Sequence, residues 1–336
     1  MRRGRGRATV AELTLVEAVR TALARAMEQD DSVLVLGEDV GVDGGVFRAT
    51  DGLLERFGPD RVIDTPLSEA LFCGLAVGLS AQGYRPVVEF QFLGFLYPGL
   101  DQLVNHASRL RNRTRGRLSC PMVIRSVWGG GIGAPEHHSE ATEALLAHIP
   151  GLRVVLPSSP ARAYGLLLAA IADPDPVVFL EPARRYRSLR EEVVDDGRAL
   201  PLDRALVLRP GSDLTLVSWG ATIGETLEAA EALAADDGTK AEVVDVCTVK
   251  PLDTDAIVSS VARTGRCVIV HEAARSGGVG AEIAAALADE GLTALLAPVA
   301  RVTGYDTVIP LSRLEAAYLP DVDRIVTAAR RVLEFS

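Results

Sequence analysis

An unbroken apolar run, Ser32-Val-Leu-Val-Leu-Gly37, lies near the start of the chain and has the length and branched side chains of a buried strand. Around it, residues 61–65 predict a second strand, residues 68–82 a helix, and Pro86–Gln91 a third strand. Continuous apolar strands that alternate with helices are typical of a mainly parallel sheet covered on both faces. The stretch therefore predicts an α/β fold.

The same alternation continues along the chain. Further strands are predicted at Met122–Val127, Leu152–Leu156, Val177–Leu180, Leu214–Ser218, Val243–Val246 and Val268–Val270. Further helices are predicted at residues 98–112, 139–148, 160–172, 222–235, 279–289 and 322–335. The segment after residue 181 is rich in Arg, Glu, Asp and Pro and has little periodicity, which indicates a linker. The predicted organisation is a basic tail at 1–9, a first α/β domain at 10–190, a linker at 191–210 and a second α/β domain at 211–336.

Composition narrows the class of protein. The 336 residues suffice for about two domains, and the formal charge of −10 argues against a nucleic-acid surface. No stretch of about 18 apolar residues is present, so no membrane-spanning helix is expected. The four cysteines lie in apolar segments and are interpreted as buried, reduced thiols of a cytoplasmic protein. The arginines near the start, which no apolar run follows, are interpreted as a disordered, solvated tail rather than a secretory signal.

The first candidate site lies at a strand–turn–helix junction, Asp64-Thr-Pro-Leu-Ser-Glu69. Pro66 fixes the turn and Ser68 is a candidate N-cap, so Glu69 lies in the first helical turn, where the helix dipole favours its charge. Ligands of open α/β sheets bind beyond the carboxyl ends of the strands. Glu69 is therefore either an ordinary stabilising residue or part of a ligand site.

The second candidate is a glycine-rich loop at residues 129–133, followed by the adjacent histidines His137 and His138. Glycines let a backbone approach a ligand or move as a lid. Adjacent histidines without partners at standard spacing do not indicate zinc, and the glycines lack the spacing of a dinucleotide site. No Gly-x-Ser-x-Gly elbow of a serine hydrolase is present. A third candidate begins at His271, where another strand ends, although helix positioning or an interface contact is the simpler explanation there.

Taken in order along the chain, these motifs resemble the β subunits of thiamine-diphosphate-dependent 2-oxoacid dehydrogenases. The resemblance covers residues 10–336, and the order and spacing of the motifs carry it rather than any single one. The matching segments are Gly37–Val40, Gly45–Arg48, Asp64–Glu69, Glu89–Phe92, Asp101–Asn105, His138-Ser139, Pro150–Val155, His271–Ala273 and Gly304–Thr307. The resemblance implies a pyrimidine-binding domain at 10–190 and a transketolase C-terminal-like domain at 211–336.

The resemblance also implies roles for single residues. Glu69 matches the glutamate that exchanges a proton with the aminopyrimidine ring of thiamine diphosphate. His138 matches the histidine that positions the substrate and transfers a proton when the acyl group passes to a lipoyl arm. Glu140 departs from the glutamine frequent in the family and adds a negative charge near His138. Further positions that match cofactor contacts are Leu67, Gln91 and Phe95.

The chain lacks the Gly-Asp-Gly signature with which this superfamily binds diphosphate and Mg²⁺. The resemblance implies that an α subunit supplies this function in an α₂β₂ heterotetramer, and that the β chain alone is inactive. It also implies a lipoyl-bearing acyltransferase core as a partner, with the helix at 322–335 near that interface. Some members hold a potassium ion through backbone carbonyls, at positions that match Ala170, Asp173 and Asp175.

The substrate is the least defined part of the prediction. Phe179–Pro182, Tyr186-Arg187 and Gly304–Thr307 look closer to branched-chain members than to pyruvate members, so a branched-chain 2-oxoacid is favoured. Pyruvate and acetoin types stay open because the pocket is shared with the α subunit. A transketolase-like sugar enzyme would be expected to carry the diphosphate-binding half upstream in the same chain. A non-catalytic docking subunit would not need the cofactor-contacting set together with His138.

Overall fold

The computed structural model describes residues 9–335, which divide into two units. The first unit comprises the described residues up to Val127 together with Ile149–Glu181 and Arg185–Leu202. The second unit comprises Trp128–His148, Pro182–Arg184 and the described residues from Asp203 onward. The tail predicted at 1–9 lies outside the described residues except for Thr9, which begins a strand.

A mainly parallel sheet forms the centre of the first unit. Its strands, in spatial order, are β6 (Arg153–Val155), β7 (Val177–Pro182), β5 (Val123–Trp128), β4 (Arg85–Phe90), β2 (Val33–Gly37) and β3 (Val62–Asp64). β2 pairs in parallel with both β3 and β4, and β4 pairs in parallel with β5. Every residue of β2 is buried, which explains why its sequence is a continuous apolar run rather than an alternating one.

Helices connect these strands. They are α1 (Leu15–Gln29), α2 (Leu53–Phe57), α3 (Glu69–Ala81), α4 (Leu100–Asn105), α5 (Leu110–Arg113) and α7 (Pro160–Ala172). α1 begins at a capping box, in which Thr14 and Glu17 each accept the other's backbone N–H through their side chains, and it packs against α7. The single helix predicted at 98–112 is divided into α4 and α5, and between them Ser108 and Arg109 donate to the carbonyl of Val104.

Two further strands of the first unit, β1 (Thr9–Thr14) and β8 (Arg190–Asp195), form an antiparallel pair. The prediction that residues 191–210 lack regular secondary structure is therefore wrong, because this range contains most of β8 and all of β9 (Leu206–Arg209). Only Val193 of β8 is fully buried. A short strand with so few buried side chains leaves little apolar periodicity in the sequence.

The register of the parallel strands aligns their carboxyl ends. Gly37 at the end of β2 lies opposite Asp64 in β3 and Glu89 in β4. The residues that follow these three strands therefore share one edge of the sheet, named here the carboxyl edge. The carboxylate of Asp64 accepts the N–H of Gly41 at 2.6 Å, which attaches the loop after β2 to the end of β3.

The second unit contains another mainly parallel sheet. Its strands, in spatial order, are β14 (Ala300–Val302), β13 (Cys267–Val270), β10 (Leu214–Ser218), β11 (Ala241–Asp245) and β9. A further short strand of this unit is β12 (Thr248–Lys250). Its helices are α6 (Glu143–Ala147), α8 (Ile223–Asp237), α9 (Thr254–Thr264), α10 (Val279–Glu290), α11 (Ser312–Tyr318) and α12 (Val322–Leu333). The buried face of α12 packs on α8, β13 and β14, as its amphipathic sequence predicts.

The segment 128–148 was predicted within the first domain but belongs to the second unit. Its glycine backbone donates to carboxylates of that unit, since the N–H of Gly130 bonds to Glu272 and the N–H of Gly131 bonds to Glu315. The helix predicted at 139–148 is reduced to α6. Such long-range hydrogen bonds leave no local signal in the sequence.

The prediction of an α/β fold is confirmed. Both units alternate strands and helices around mainly parallel sheets, as the α/β prediction requires. The four cysteines are free and buried, and burial raises the pKa of the Cys73 and Cys267 thiols to about 12. Within residues 9–335, no helix combines the length and apolar character needed to cross a membrane.

Candidate active site

Glu69 is the first residue of α3 and lies, half-buried, at the carboxyl edge of the first unit. The position suits a carboxylate because unpaired N–H groups of a helix N-terminus favour negative charge. Ser68 occupies the predicted N-cap position, but its side chain makes no capping hydrogen bond. Instead, the Ser68 carbonyl accepts the N–H groups of Leu71 and Phe72. Local stabilisation of the helix start therefore comes from the backbone and from the charge of Glu69.

A second carboxylate, Glu38, lies close enough to Glu69 to sense its charge. Burial raises the pKa of Glu38, and the negative charges of Asp39 and Glu69 raise it further. Glu38 directly follows β2, so it lies at the carboxyl edge for the same reason as Glu69. Glu38 is not among the predicted site residues, although it lies at the carboxyl end of a parallel strand as Glu69 does.

Gln91 and Phe95 follow β4 at the same edge, and both are half-buried. Phe95 belongs to the 3-10 helix Leu93–Gly99, which α3 contacts. The ring of Phe95 meets that of Phe92 edge to face with 5.6 Å between centroids, and Phe92 meets Phe47 in the same way at 5.3 Å. The edge thus combines carboxylates, an amide and aromatic rings. That set fits a planar heterocycle with ring nitrogen atoms.

An apolar stripe begins at Leu67, whose side chain is 73% exposed. Leu71 and Leu75 follow on α3, four residues apart, and are 53% and 44% exposed, so these two leucines share one face of the helix, and Leu67 lies just before its start. Gly78 continues the exposed face one turn further along α3. A row of exposed leucines next to a small residue indicates a surface that another protein chain covers.

A buried charge network holds the strands whose ends carry these residues. Arg125 of β5 donates to Glu181 of β7 through Nε at 2.7 Å and Nη2 at 2.9 Å, and to Glu89 of β4 through Nη1 at 2.7 Å. The Tyr186 hydroxyl also donates to Glu181. Burial acts to lower the pKa of Arg125, but Glu181 and Glu89 raise it overall, so the guanidinium stays charged. The network fixes β4, β5 and β7 relative to one another.

His138 lies in the second unit, on a segment named here the histidine loop, residues 129–140. The Gly129 N–H donates to the Glu140 carbonyl at 2.9 Å and closes the loop at its base. His138 ends the 3-10 helix Glu136–His138 and is half-buried. The structure therefore groups Glu69 with the other predicted cofactor contacts in the first unit, and places His138 in the second.

The glycines of the histidine loop contact carboxylates of this chain. The Glu272 Oε1 atom accepts the Gly130 N–H at 2.9 Å, and Arg184 donates to the other oxygen of Glu272. A Cβ atom at Gly129, where φ is +82°, would lie 1.9 Å from Glu272 Oε1. Glycine is therefore required there for close approach to Glu272 as well as for the backbone conformation.

A buried carboxyl group follows the histidine loop. Glu143 accepts the indole N–H of Trp128 at 2.9 Å and that of Trp219 at 3.3 Å, and burial raises its pKa to about 7. His271 stacks on Trp219 with 5.0 Å between ring centroids, and burial lowers the pKa of its imidazole to about 3. His271 is thus a neutral residue packed in the core of the second unit.

The potassium prediction concerns three residues at the end of α7: Ala170, Asp173 and Asp175. Arg153 pairs with the carboxylate of Asp173 at 3.0 Å, Arg111 pairs with Asp175 at 2.6 Å, and Arg85 donates to the Asp173 carbonyl at 3.2 Å. Of the three predicted carbonyl ligands, the Asp173 carbonyl therefore already accepts a hydrogen bond from a guanidinium group. Residues 9–335 hold no group of three or more His, Cys, Asp or Glu side chains arranged for a metal ion. The potassium site stays a prediction.

Comparison with known proteins agrees with this geometry. The family model "Transketolase, pyrimidine binding domain" matches residues 11–188, and "Transketolase, C-terminal domain" matches residues 203–325. The chain is 48% identical over 326 residues to the pyruvate dehydrogenase E1 component subunit beta of Bacillus subtilis (strain 168) and 47% identical to that of Staphylococcus epidermidis. Both alignments cover 97% of this chain and 100% of the relative.

Two solved structures are similar in fold. An inactive β4 tetramer of a split-gene transketolase has a TM-score of 0.77 at 24% identity, covering 97% of this chain and 99% of that one. The transketolase from Leishmania mexicana has a TM-score of 0.68 at 17% identity, covering 96% of this chain and 46% of that one. This chain therefore corresponds to less than half the length of the Leishmania enzyme.

The fold, the carboxyl-edge residues and the family models together define a transketolase-like protein of the thiamine-diphosphate-dependent class. Within that class, the chain belongs to the β subunits of the 2-oxoacid dehydrogenase E1 component, as the resemblance in the sequence implied.

Proposed function

We propose that this chain is the β half of a decarboxylating enzyme that acts with an α subunit on a 2-oxoacid and passes the acyl group to the lipoyl arm of an acyltransferase core. The observation that carries the proposal is Glu69, half-buried at the start of α3 within the electrostatic range of Glu38. When bound, thiamine diphosphate supplies the electron sink that lets a 2-oxoacid lose carbon dioxide. Glu69 would hold and release a proton at a ring nitrogen of this cofactor. The aromatic rings beside Phe95 would orient the ring.

The exposed stripe Leu67, Leu71 and Leu75 supports an obligatory α subunit, with which the chain would form an α₂β₂ heterotetramer. The sequence has no Gly-Asp-Gly signature, so diphosphate and Mg²⁺ binding are assigned to that partner. The basis for this assignment is the family resemblance. The free cysteines agree with the reducing cytoplasm as the compartment.

For the substrate we propose pyruvate, because both E1 relatives described above carry that name. A branched-chain 2-oxoacid is the second candidate, favoured by the segments at Phe179–Pro182 and Tyr186-Arg187. Phe179, Glu181 and Tyr186 are buried inside the first unit, where Tyr186 donates to Glu181. The branched-chain candidate is therefore supported by the sequence resemblance at these positions, and not by contacts of these side chains with a substrate.

The decisive experiment co-expresses this chain with an α subunit and measures reduction of an artificial electron acceptor in the presence of thiamine diphosphate and Mg²⁺. Pyruvate is tested beside 3-methyl-2-oxobutanoate and acetoin. We expect turnover only when both subunits are present, with the largest kcat/KM for pyruvate. Turnover by the β chain alone would overturn the half-site proposal, and preference for the branched acid would replace pyruvate by the second candidate.

A further inference from the structure

The histidine loop is fixed at two places. Its base is closed by the hydrogen bond between the Gly129 N–H and the Glu140 carbonyl, at 2.9 Å. Its glycine-rich part is held by a carboxylate from α11, since Glu315 Oε1 accepts the Gly131 N–H at 2.7 Å and Glu315 Oε2 accepts the Gly133 N–H at 2.9 Å. One side chain thus binds two backbone N–H groups of the loop.

The surroundings of Glu315 favour this role over a solvated surface charge. Glu315 is buried, and hydrogen bonds from backbone N–H groups to a carboxylate are strong ones. A Cβ atom at Gly131, where φ is +94°, would lie 2.6 Å from Arg184, and one at Gly130 would lie 2.6 Å from Ile309. The side chains of Arg184 and Ile309 therefore pack closely against the loop backbone next to Glu315.

The attachment is followed by a stiff segment that leads to His138. Pro135 has a fixed φ, and its carbonyl accepts the His138 N–H at 2.9 Å and the Ser139 hydroxyl at 3.3 Å. The position of Gly133 is transmitted to His138 through this short turn and the 3-10 helix Glu136–His138. Loss of the carboxylate would release the segment that sets the direction of the imidazole.

We propose that Glu315 is a positioning residue for His138: by binding the N–H groups of Gly131 and Gly133, its carboxylate holds the histidine loop in the conformation in which His138 handles the proton of acyl transfer. The inference rests on the proposed function, which gives His138 this task. Glu315 itself touches no reacting atom in this account.

The test compares Glu315→Gln with wild type in the αβ complex. Glutamine keeps the size of the side chain but replaces one acceptor oxygen by an NH₂ group, which faces a backbone donor. Glu315→Asp, which withdraws the carboxylate by one methylene group, is the second variant if the first does not fold. Glu228→Gln, an exposed glutamate on α8, is the matched control.

The first measurement is hydrogen–deuterium exchange of the amides at residues 130–133. We expect faster exchange in Glu315→Gln, no change in Glu228→Gln, and unchanged exchange in the helices of the second unit. Unchanged exchange at Gly131 and Gly133 in both Glu315 variants would overturn the proposal. This readout does not depend on cofactor or substrate.

The second measurement separates two activities of the same complex. Acyl transfer to a lipoyl domain should fall about tenfold or more in Glu315→Gln, since small displacements of a catalytic group have effects of this size. Decarboxylation with an artificial acceptor should fall much less. Faster exchange with acyl transfer at the wild-type rate would overturn the positioning role. If the wild-type complex turns over no 2-oxoacid, the proposed function fails, while the exchange measurement still decides whether Glu315 holds the loop.

Discussion

Trp128 and Trp219 donate their indole N–H groups to the same buried carboxyl group, that of Glu143, over 2.9 and 3.3 Å. They are the two tryptophans of the chain. Intrinsic tryptophan emission therefore reports on one site. Since burial raises the pKa of Glu143 to about 7, this site changes its charge near neutral pH.

The first prediction is an emission change with pH. Titration of the folded chain should alter tryptophan emission with a midpoint near pH 7, because the carboxylate forms beside both indoles. Glu143→Gln should abolish the transition, whereas Glu228→Gln, on an exposed face, should keep it. A transition that persists in Glu143→Gln would assign the titration to another group.

The same carboxyl group should affect stability. Its folded pKa of about 7 lies above the usual value of 4.5, so its contribution is fully present below about pH 4.5 and is lost as pH rises to about 7. The loss amounts to about 2–4 kcal/mol. The Tm of wild type should therefore fall relative to the Tm of Glu143→Gln when the pH is raised from 5 to 8, which melting curves of both proteins would measure. A pH-independent difference between the two Tm values would contradict this.

A second prediction concerns Glu69. In the αβ complex, Glu69→Gln should lower decarboxylation about 10²- to 10⁴-fold, the range expected when a general acid–base group is removed. Glu55→Gln is the matched control, because Glu55 is also a first-turn glutamate but is exposed on α2. Circular dichroism should be the same for both variants. Near-full activity of Glu69→Gln would remove this residue from the site.

A third prediction tests the leucine stripe on α3. Leu71→Asp should abolish co-purification with the α subunit, because a charge would replace apolar contact at the centre of the stripe. The Tm of the isolated chain should change little, since the side chain is 53% exposed. Leu292→Asp, at an exposed leucine of the second unit, is the control. Retained association of Leu71→Asp would place the α subunit elsewhere.

A fourth prediction concerns Arg125. Arg125→Met should cost about 3–5 kcal/mol of unfolding free energy, because two buried carboxylates, Glu89 and Glu181, lose their shared cation. Arg190→Met breaks an exposed pair with Glu17 and should cost less than about 1 kcal/mol. Urea unfolding measures both. Adding Glu181→Gln to Arg125→Met should recover part of the loss; no recovery would mean that packing rather than charge dominates.

Local sequence patterns were sufficient to predict the α/β fold and the junction that carries Glu69. The apolar run of β2 and the turn at Pro66 involve neighbours in sequence, so composition and spacing reveal them. The same patterns favoured a flexible or ligand-facing role for the glycines at 129–133. Their N–H groups instead bind Glu272 and Glu315, which lie far along the chain. No local sequence pattern predicts hydrogen-bond partners that lie so far away along the chain.

Strands that bury few side chains could not be predicted from the sequence either. β8 and β9 bury few side chains, so the region at 191–210 has no apolar periodicity to mark them. Glu38 directly follows β2, but a position at a strand end alone does not distinguish a site residue from an ordinary surface carboxylate. The raised pKa of Glu38, caused by burial and two neighbouring carboxylates, is a property that only the folded chain provides.

The chain passes between its two units after Val127, His148, Glu181, Arg184 and Leu202. A chimera with a single junction in the chain therefore cannot replace one whole unit of this protein and leave the other intact. A chimera that took everything after Leu202 from a relative would keep the native histidine loop but give it foreign versions of Glu272 and Glu315. Segments 128–148 and 182–184 and the described residues from 203 onward form one unit, so a chimera that is to keep the contacts of the histidine loop must take all three from the same parent.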